Sequence, residues 1–148
     1  MDRGRRIEFI SQSQEETIAL GQQLGSTLRP GSIVCLFGDL GAGKTTFIKG
    51  LVNALTGVEP HEVCSPTFAY LNIYEGATCV YHFDLYRLPD EAAFLSLGFE
   101  EYLFSSGVCC IEWSERIAKI LPAHTLLITL TYGEEGERKI VYEPISTF

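Results

Sequence analysis

No stretch of this chain approaches the roughly 18 consecutive apolar residues that a membrane-crossing helix needs. Positive charge is scarce too, with 11 Lys and Arg against 19 Asp and Glu, a formal net charge of −8. The first absence argues against a spanning helix. The second makes the averaged field repel nucleic-acid phosphates, so strong independent nucleic-acid binding is not expected, and Arg3, Arg5 and Arg6 read as a solvated tail. Cys35, Cys64, Cys79, Cys109 and Cys110 form an odd set without a C-x-x-C pair, mostly inside apolar runs, which argues against a disulfide framework or structural zinc. Met1-Asp2-Arg3-Gly4-Arg5-Arg6 is not followed by the apolar core of a secretory signal. Repeats, linkers and low-complexity tracts are also missing. The 148 residues, 46% of them hydrophobic, are therefore expected to form one domain, 1–148, of a soluble cytoplasmic protein.

What the chain does have is Gly38-Asp39-Leu40-Gly41-Ala42-Gly43-Lys44-Thr45, the pattern G-x-x-x-x-G-K-S/T, directly after the apolar run Ile33–Phe37. A triphosphate must be wrapped by backbone N–H groups, and glycines let the main chain curl closely enough to do so. Lys44 is then expected on the β- and γ-phosphates and the Thr45 hydroxyl on Mg2+, with the positive end of the following helix facing the anion. Phe47, Ile48, Leu51, Val52 and Leu55 supply that helix with an apolar stripe. A guanine-selective N-K-x-D sequence is missing, which makes ATP the default nucleotide. The dinucleotide fingerprint fails because Thr46 stands where its third glycine belongs. A small-metabolite kinase is the rival, but such enzymes clamp the phosphoryl group with a lid rich in arginine, and the seven arginines here are scattered.

Around the loop, Ile7–Ile10 reads as a short strand, and Ser13-Gln14-Glu15-Glu16 has the spacing of a capping box. Thr17, Leu20, Gly21, Leu24 and Leu28 then fall on one helical face that stops at Arg29-Pro30-Gly31. Gly57 is placed to end the second helix. Residues 67–74 and 78–84 are expected to pair as a hairpin across Glu75-Gly76-Ala77. Helical material follows from Asp90 to Leu103, then the strand Val108–Ile111, a short helix before Pro122, and two strands around Gly133–Gly136. The expected fold is a three-layer α/β arrangement of the P-loop NTPase type. Its mostly parallel mixed sheet carries antiparallel hairpin edges and flanking helices, with ligand at the strands' carboxyl ends.

Hydrolysis also needs a carboxylate near the metal and a group to orient water. Asp84 and Glu112 each close an apolar strand, and their residue type leaves open which does which. Ser65-Pro66-Thr67 reads either as a turn before a strand or as a loop sensing the γ-phosphate. His82 shares a strand face with Asp84 and is placed to orient it, or it is a core histidine; His61 and His124 have no supporting context. Trp113 packs over the site, onto a partner or into the core. Arg87 and Arg116 pair either with phosphate or with acids such as Glu115.

These blocks together resemble the TsaE (YjeE-type) ATPases of bacterial tRNA threonylcarbamoyladenosine biosynthesis. The likeness is carried by Gly38–Phe47, Ser65-Pro66-Thr67-Phe68, His82-Phe83-Asp84-Leu85-Tyr86-Arg87, and Ile111-Glu112-Trp113 with Glu115-Arg116. The opening Glu16-Thr17 helix with Leu20-Gly21 extends it over nearly the whole chain. It implies binding and weak hydrolysis of ATP with Mg2+ in the service of a TsaB–TsaD heterodimer, which modifies the adenosine beside the anticodon of ANN-decoding tRNAs. Contact with tRNA would be indirect, through that pair. The implied nucleotide site comprises Asp39, Leu40, Gly41, Ala42, Gly43, Lys44, Thr45, Thr46, Ser65, Thr67 and Trp113. Lys44, Asp84 and Glu112 would act in hydrolysis, with Thr45, Asp84 and Glu112 as candidates for the metal.

Overall fold

A computed structural model of the chain describes residues 6–39, 41–66 and 68–144. Its centre is β2 (Ile33–Phe37), an almost wholly apolar strand buried on both faces. Alternation sends Val34 and Leu36 into one core and Ile33 and Cys35 into the other. On the first face lie α1 (Gln14–Thr27) and α2 (Lys44–Thr56); on the second lie α3 (Glu91–Ser96), α4 (Glu100–Leu103) and a 3₁₀ segment, Ser114–Ile120.

The remaining strands are β1 (Ile7–Ser11), β3 (Leu71–Tyr74), β4 (Val80–Asp84), β5 (Val108–Glu112), β6 (Leu126–Tyr132) and β7 (Arg138–Pro144). Across the seven-stranded sheet the order is β1-β7-β6-β2-β5-β4-β3. The β6-β2-β5-β4 centre is parallel, whereas β7, β1 and β3 join antiparallel. This is the mixed α/β fold expected of the sequence, with both hairpins at the predicted places.

The cap forms with a shifted return bond: the Glu16 N–H donates to Ser13 Oγ (3.1 Å), and Glu16 Oε2 accepts from the N–H of Gln12, one residue before the cap (2.6 Å). Gly57 ends α2 in the left-handed region at φ 80°, its N–H bonded to Asn53 O. The α1 face is subtler than its leucines suggest. Leu20 and Leu28 are only half-buried, while Gly21 and Gly25 press against α2. A Cβ at Gly21 would lie 2.2 Å from Phe47 O, and one at Gly50 would lie 2.0 Å from Ile18 O. Glycine at these positions sets how closely the two helices approach.

Two boundaries differ from expectation. The strand expected over 67–74 begins only at Leu71, because residues 68–70 turn and Tyr70 adopts φ 64°; Thr67 lies outside the described residues. The helix expected over 90–103 breaks around Gly98 (φ 77°), which lets Phe94 and Phe99 both pack on Phe83 at 5.7 and 5.3 Å between ring centroids. Burial of these rings outweighs continuing one short helix. The cysteine reading holds for Cys35 and Cys109, whose thiols burial pushes up to about 12. Cys64 is exposed. Among the described residues no helix is long and apolar enough to cross a membrane.

Candidate functional site

The carboxyl ends of β2, β4 and β5 open onto a cleft of about 800 Å³. Because β2 feeds straight into α2, the loop between them must reverse tightly. It does so with Gly43 in the left-handed region at φ 104°, as the residue before α2. Among the described residues no side chain caps that helix. Its first-turn N–H groups therefore remain for a ligand, at the end where the helix dipole favours an anion. Lys44, Thr45 and Thr46 line the cleft beside them. The Lys44 ammonium arcs back to donate to Gly38 O at 2.7 Å, and the Thr45 hydroxyl lies 3.1 Å from that of Ser65.

Opposite the loop stand the two acids. Asp84 and Glu112 are register partners on adjacent parallel strands, and both line the cleft. Asp84 is half-buried, and its Oδ1 accepts from the Tyr86 N–H at 3.1 Å. Burial pushes its carboxyl above the ordinary range, and the negative charge of Glu112 adds to the rise. Glu112 is buried, with Oε2 2.8 Å from His82 Nε2. Of the two sequence readings of His82, the structure favours the buried core histidine: it pairs with Glu112 and not with Asp84, its neighbour on the same strand face. Side chains two apart along a strand project in parallel, whereas Glu112 leans across from β5.

Trp113 closes one side of the cleft. Its backbone is left-handed (φ 59°), which turns the chain sharply after β5 and sets the indole 4.9 Å from the Tyr86 ring. Lys44 Nζ lies 5.9 Å and Arg116 Cζ 5.8 Å from the indole centroid. Arg116 donates to Tyr86 O at 3.2 Å, and Arg87 lies over the Phe68 ring at 4.9 Å. Among the described residues no arginine lines this cleft, and Arg138 reaches Gly41 O of the loop at 3.5 Å from the adjoining cavity.

Asp39, Gly41, Gly43, Lys44, Thr45, Thr46, Ser65, Asp84, Glu112 and Trp113 thus meet at one cleft. Ala42 departs from the set: its side chain is buried beneath the loop, and only its backbone shapes the turn, donating to Asp39 O at 2.9 Å. Leu40 and Thr67 lie outside the described residues. Two cleft residues had been given no role at the site, Gln14 and Tyr86. Tyr86 had a signal in its place two residues after Asp84. Gln14 had none, because only the packing of α1 on α2 brings it to the loop.

These residues fit Mg2+ and a nucleoside triphosphate. Three or more His, Cys, Asp or Glu side chains able to hold a metal by themselves do not occur among the described residues. A phosphate-bound Mg2+ asks for less, one or two protein oxygens with phosphate and water completing its octahedron. Thr45 and the two carboxylates offer such oxygens next to an uncapped helix N-terminus.

Residues 11–140 match the family described as threonylcarbamoyl adenosine biosynthesis protein TsaE. Among curated relatives, the tRNA threonylcarbamoyladenosine biosynthesis protein TsaE of Treponema pallidum is 43% identical over 134 residues, covering 90% of this chain and 98% of its own. The protein of the same name from Nostoc sp. is 44% identical over 138 residues, 90% of this chain and 83% of its own. The crystal structure of Bacillus subtilis YdiB superposes with a TM-score of 0.78 at 31% identity, covering 96% of this chain and 87% of that one.

Proposed function

Since the chain belongs to the TsaE family of tRNA threonylcarbamoyladenosine biosynthesis, we propose that it is a Mg2+-dependent ATPase of that pathway. It acts on a TsaB–TsaD heterodimer in the cytoplasm and meets tRNA only through that pair. The observation that supports this reading most is the convergence, in one cleft, of an uncapped helix N-terminus, Lys44, Thr45 and the carboxylates of Asp84 and Glu112. A net charge of −8 agrees with RNA being held by the partner.

The first-turn N–H groups of α2 and the Lys44 ammonium hold the phosphates of ATP. Thr45 Oγ1 and Glu112 hold Mg2+, because β5 is the strand directly beside β2 and brings Glu112 level with Leu36 at the mouth of the loop. When bound, Mg2+ offsets charge on the β- and γ-phosphate oxygens. Asp84 lies one strand farther out, where it orients a water toward the γ-phosphorus. The water oxygen bonds to phosphorus, the bond to the β-phosphate oxygen breaks, and ADP leaves with inorganic phosphate. A carboxylate whose proton affinity is raised by burial is suited to accept the proton that the water gives up. Tyr86 and Trp113 cover this side of the cleft. The Thr45 hydroxyl that would hold the metal now meets Ser65 at 3.1 Å, which would couple Ser65 to occupancy of the site.

The test is phosphate release from ATP by the protein alone and with TsaB, TsaD and tRNA. Slow release that the partners stimulate, with no phosphorylated acceptor, is expected. Release unaffected by the partners, or label appearing on a small metabolite, refutes the reading. Equal affinity of the ATP-bound, ADP-bound and empty protein for the heterodimer would refute nucleotide-controlled docking.

A further inference from the structure

His82 is fully buried in β4, Nε2 facing Glu112 Oε2, and its Nδ1 meets no polar partner among the described residues. We propose that His82 is a positioning residue for the metal site, clamping one Glu112 oxygen so that the other faces the cleft. This inference rests on the reading of Glu112 as a metal-holding acid.

An ionised carboxylate only accepts, so His82 Nε2 must donate; in the neutral ring Nδ1 then carries a bare lone pair. That assignment leaves no N–H donor buried without an acceptor, the more expensive kind of orphan. It also fixes the clamp in one direction. Glu112 Oε2 is committed to the imidazole, so Oε1 is the oxygen left for the cleft. Without the ring, the Glu112 carboxylate would be free to rotate about its terminal torsion, which is broad and unstaggered. A histidine with only a packing role in this core would be as well served by an apolar residue of similar volume. The ring instead spends its donor on the acid that borders the phosphate loop. Outer partners of this kind orient metal-holding side chains, and their loss costs about 10- to 100-fold in metal affinity.

The experiment titrates Mg2+ into protein holding a non-hydrolysable ATP analogue, with nucleotide affinity in EDTA measured in parallel. His82→Leu is expected to raise the Mg2+ midpoint by about 10-fold or more while leaving affinity in EDTA unchanged. In His82→Gln the amide nitrogen lies as many bonds from Cβ as the imidazole Nε2, so its midpoint is expected to stay near wild type. His82→Asn, one bond short, is expected to shift like leucine and replaces it should leucine not fold. Glu112→Gln calibrates the assay. If Glu112→Gln shifts the midpoint and His82→Leu does not, the clamp is overturned alone. If Glu112→Gln leaves the midpoint unmoved, the reading of Glu112 falls and the clamp falls with it. Equal weakening in EDTA and in Mg2+, unrelieved by glutamine, shows a role in folding only and also overturns the clamp.

Discussion

Replacing Gly50 with alanine tests whether glycine sets the distance between the two helices that carry the phosphate site. The added Cβ would lie 2.0 Å from Ile18 O, 2.9 Å from Ile18 C and 3.0 Å from Gln22 N. All three are backbone atoms, so no rotamer change relieves the clash. Relaxed carbon–oxygen contacts need about 3.3 Å, so α1 and α2 must part by roughly 1 Å, and overpacking of this kind costs about 1–3 kcal/mol. Alanine recovers about 1 kcal/mol of helix propensity, which leaves a net loss of up to about 2 kcal/mol. At about 2–4 °C per kcal/mol for a domain of this size, the melting temperature falls by up to about 8 °C. Thermal unfolding followed by circular dichroism measures it. Gly21→Ala meets Phe47 O at 2.2 Å in the same interface, so the double variant is expected to lose less than the sum of the singles. A melting temperature for Gly50→Ala above wild type would sink the claim of backbone contact.

Lys44→Ala removes the ammonium that reaches over the loop and is expected to weaken ATP·Mg2+ binding at least tenfold by calorimetry, a loss of about 1.4 kcal/mol. Trp113, the single tryptophan of the chain, lies 5.9 Å from Lys44 Nζ; its fluorescence should change saturably with added nucleotide and stay flat in Lys44→Ala. Burial raises the Asp84 carboxyl above 3.8, so the metal-free native state binds that proton more readily than the unfolded chain. The ionised side chain therefore costs stability that is absent below pH 3.8 and grows as pH rises through the raised value. Asp84→Asn should gain stability over wild type across that window in urea titrations, and lose about 10²- to 10⁴-fold in hydrolysis at neutral pH. An unchanged rate would remove Asp84 from the chemistry.

The glycine-rich loop was legible because its geometry is local. Glycine freedom, a preceding apolar strand and a following amphipathic helix lie within about two dozen consecutive residues, and each leaves a mark on sequence. The same holds for the cap at Ser13 and Glu16 and for both hairpins. Asp84 and Glu112 were legible one step less directly, because a polar residue closing an apolar strand marks the end where parallel strands open onto a ligand. Their adjacency is a property of strand order, which no local pattern encodes.

The family likeness, the order of strands and helices and the candidate site residues were legible in the amino-acid sequence alone, since covalent neighbours and short-range periodicity carry them. Three matters were decided only by tertiary packing. His82 bonds Glu112 thirty positions away and not Asp84 two away; Gln14 reaches the loop because glycine lets α1 lie against α2; and Trp113 turns over Lys44 through a left-handed backbone. Each depends on the direction in which a side chain projects once strands and helices have taken their neighbours. That direction arises from long-range burial, so it comes into being only when the sheet is assembled.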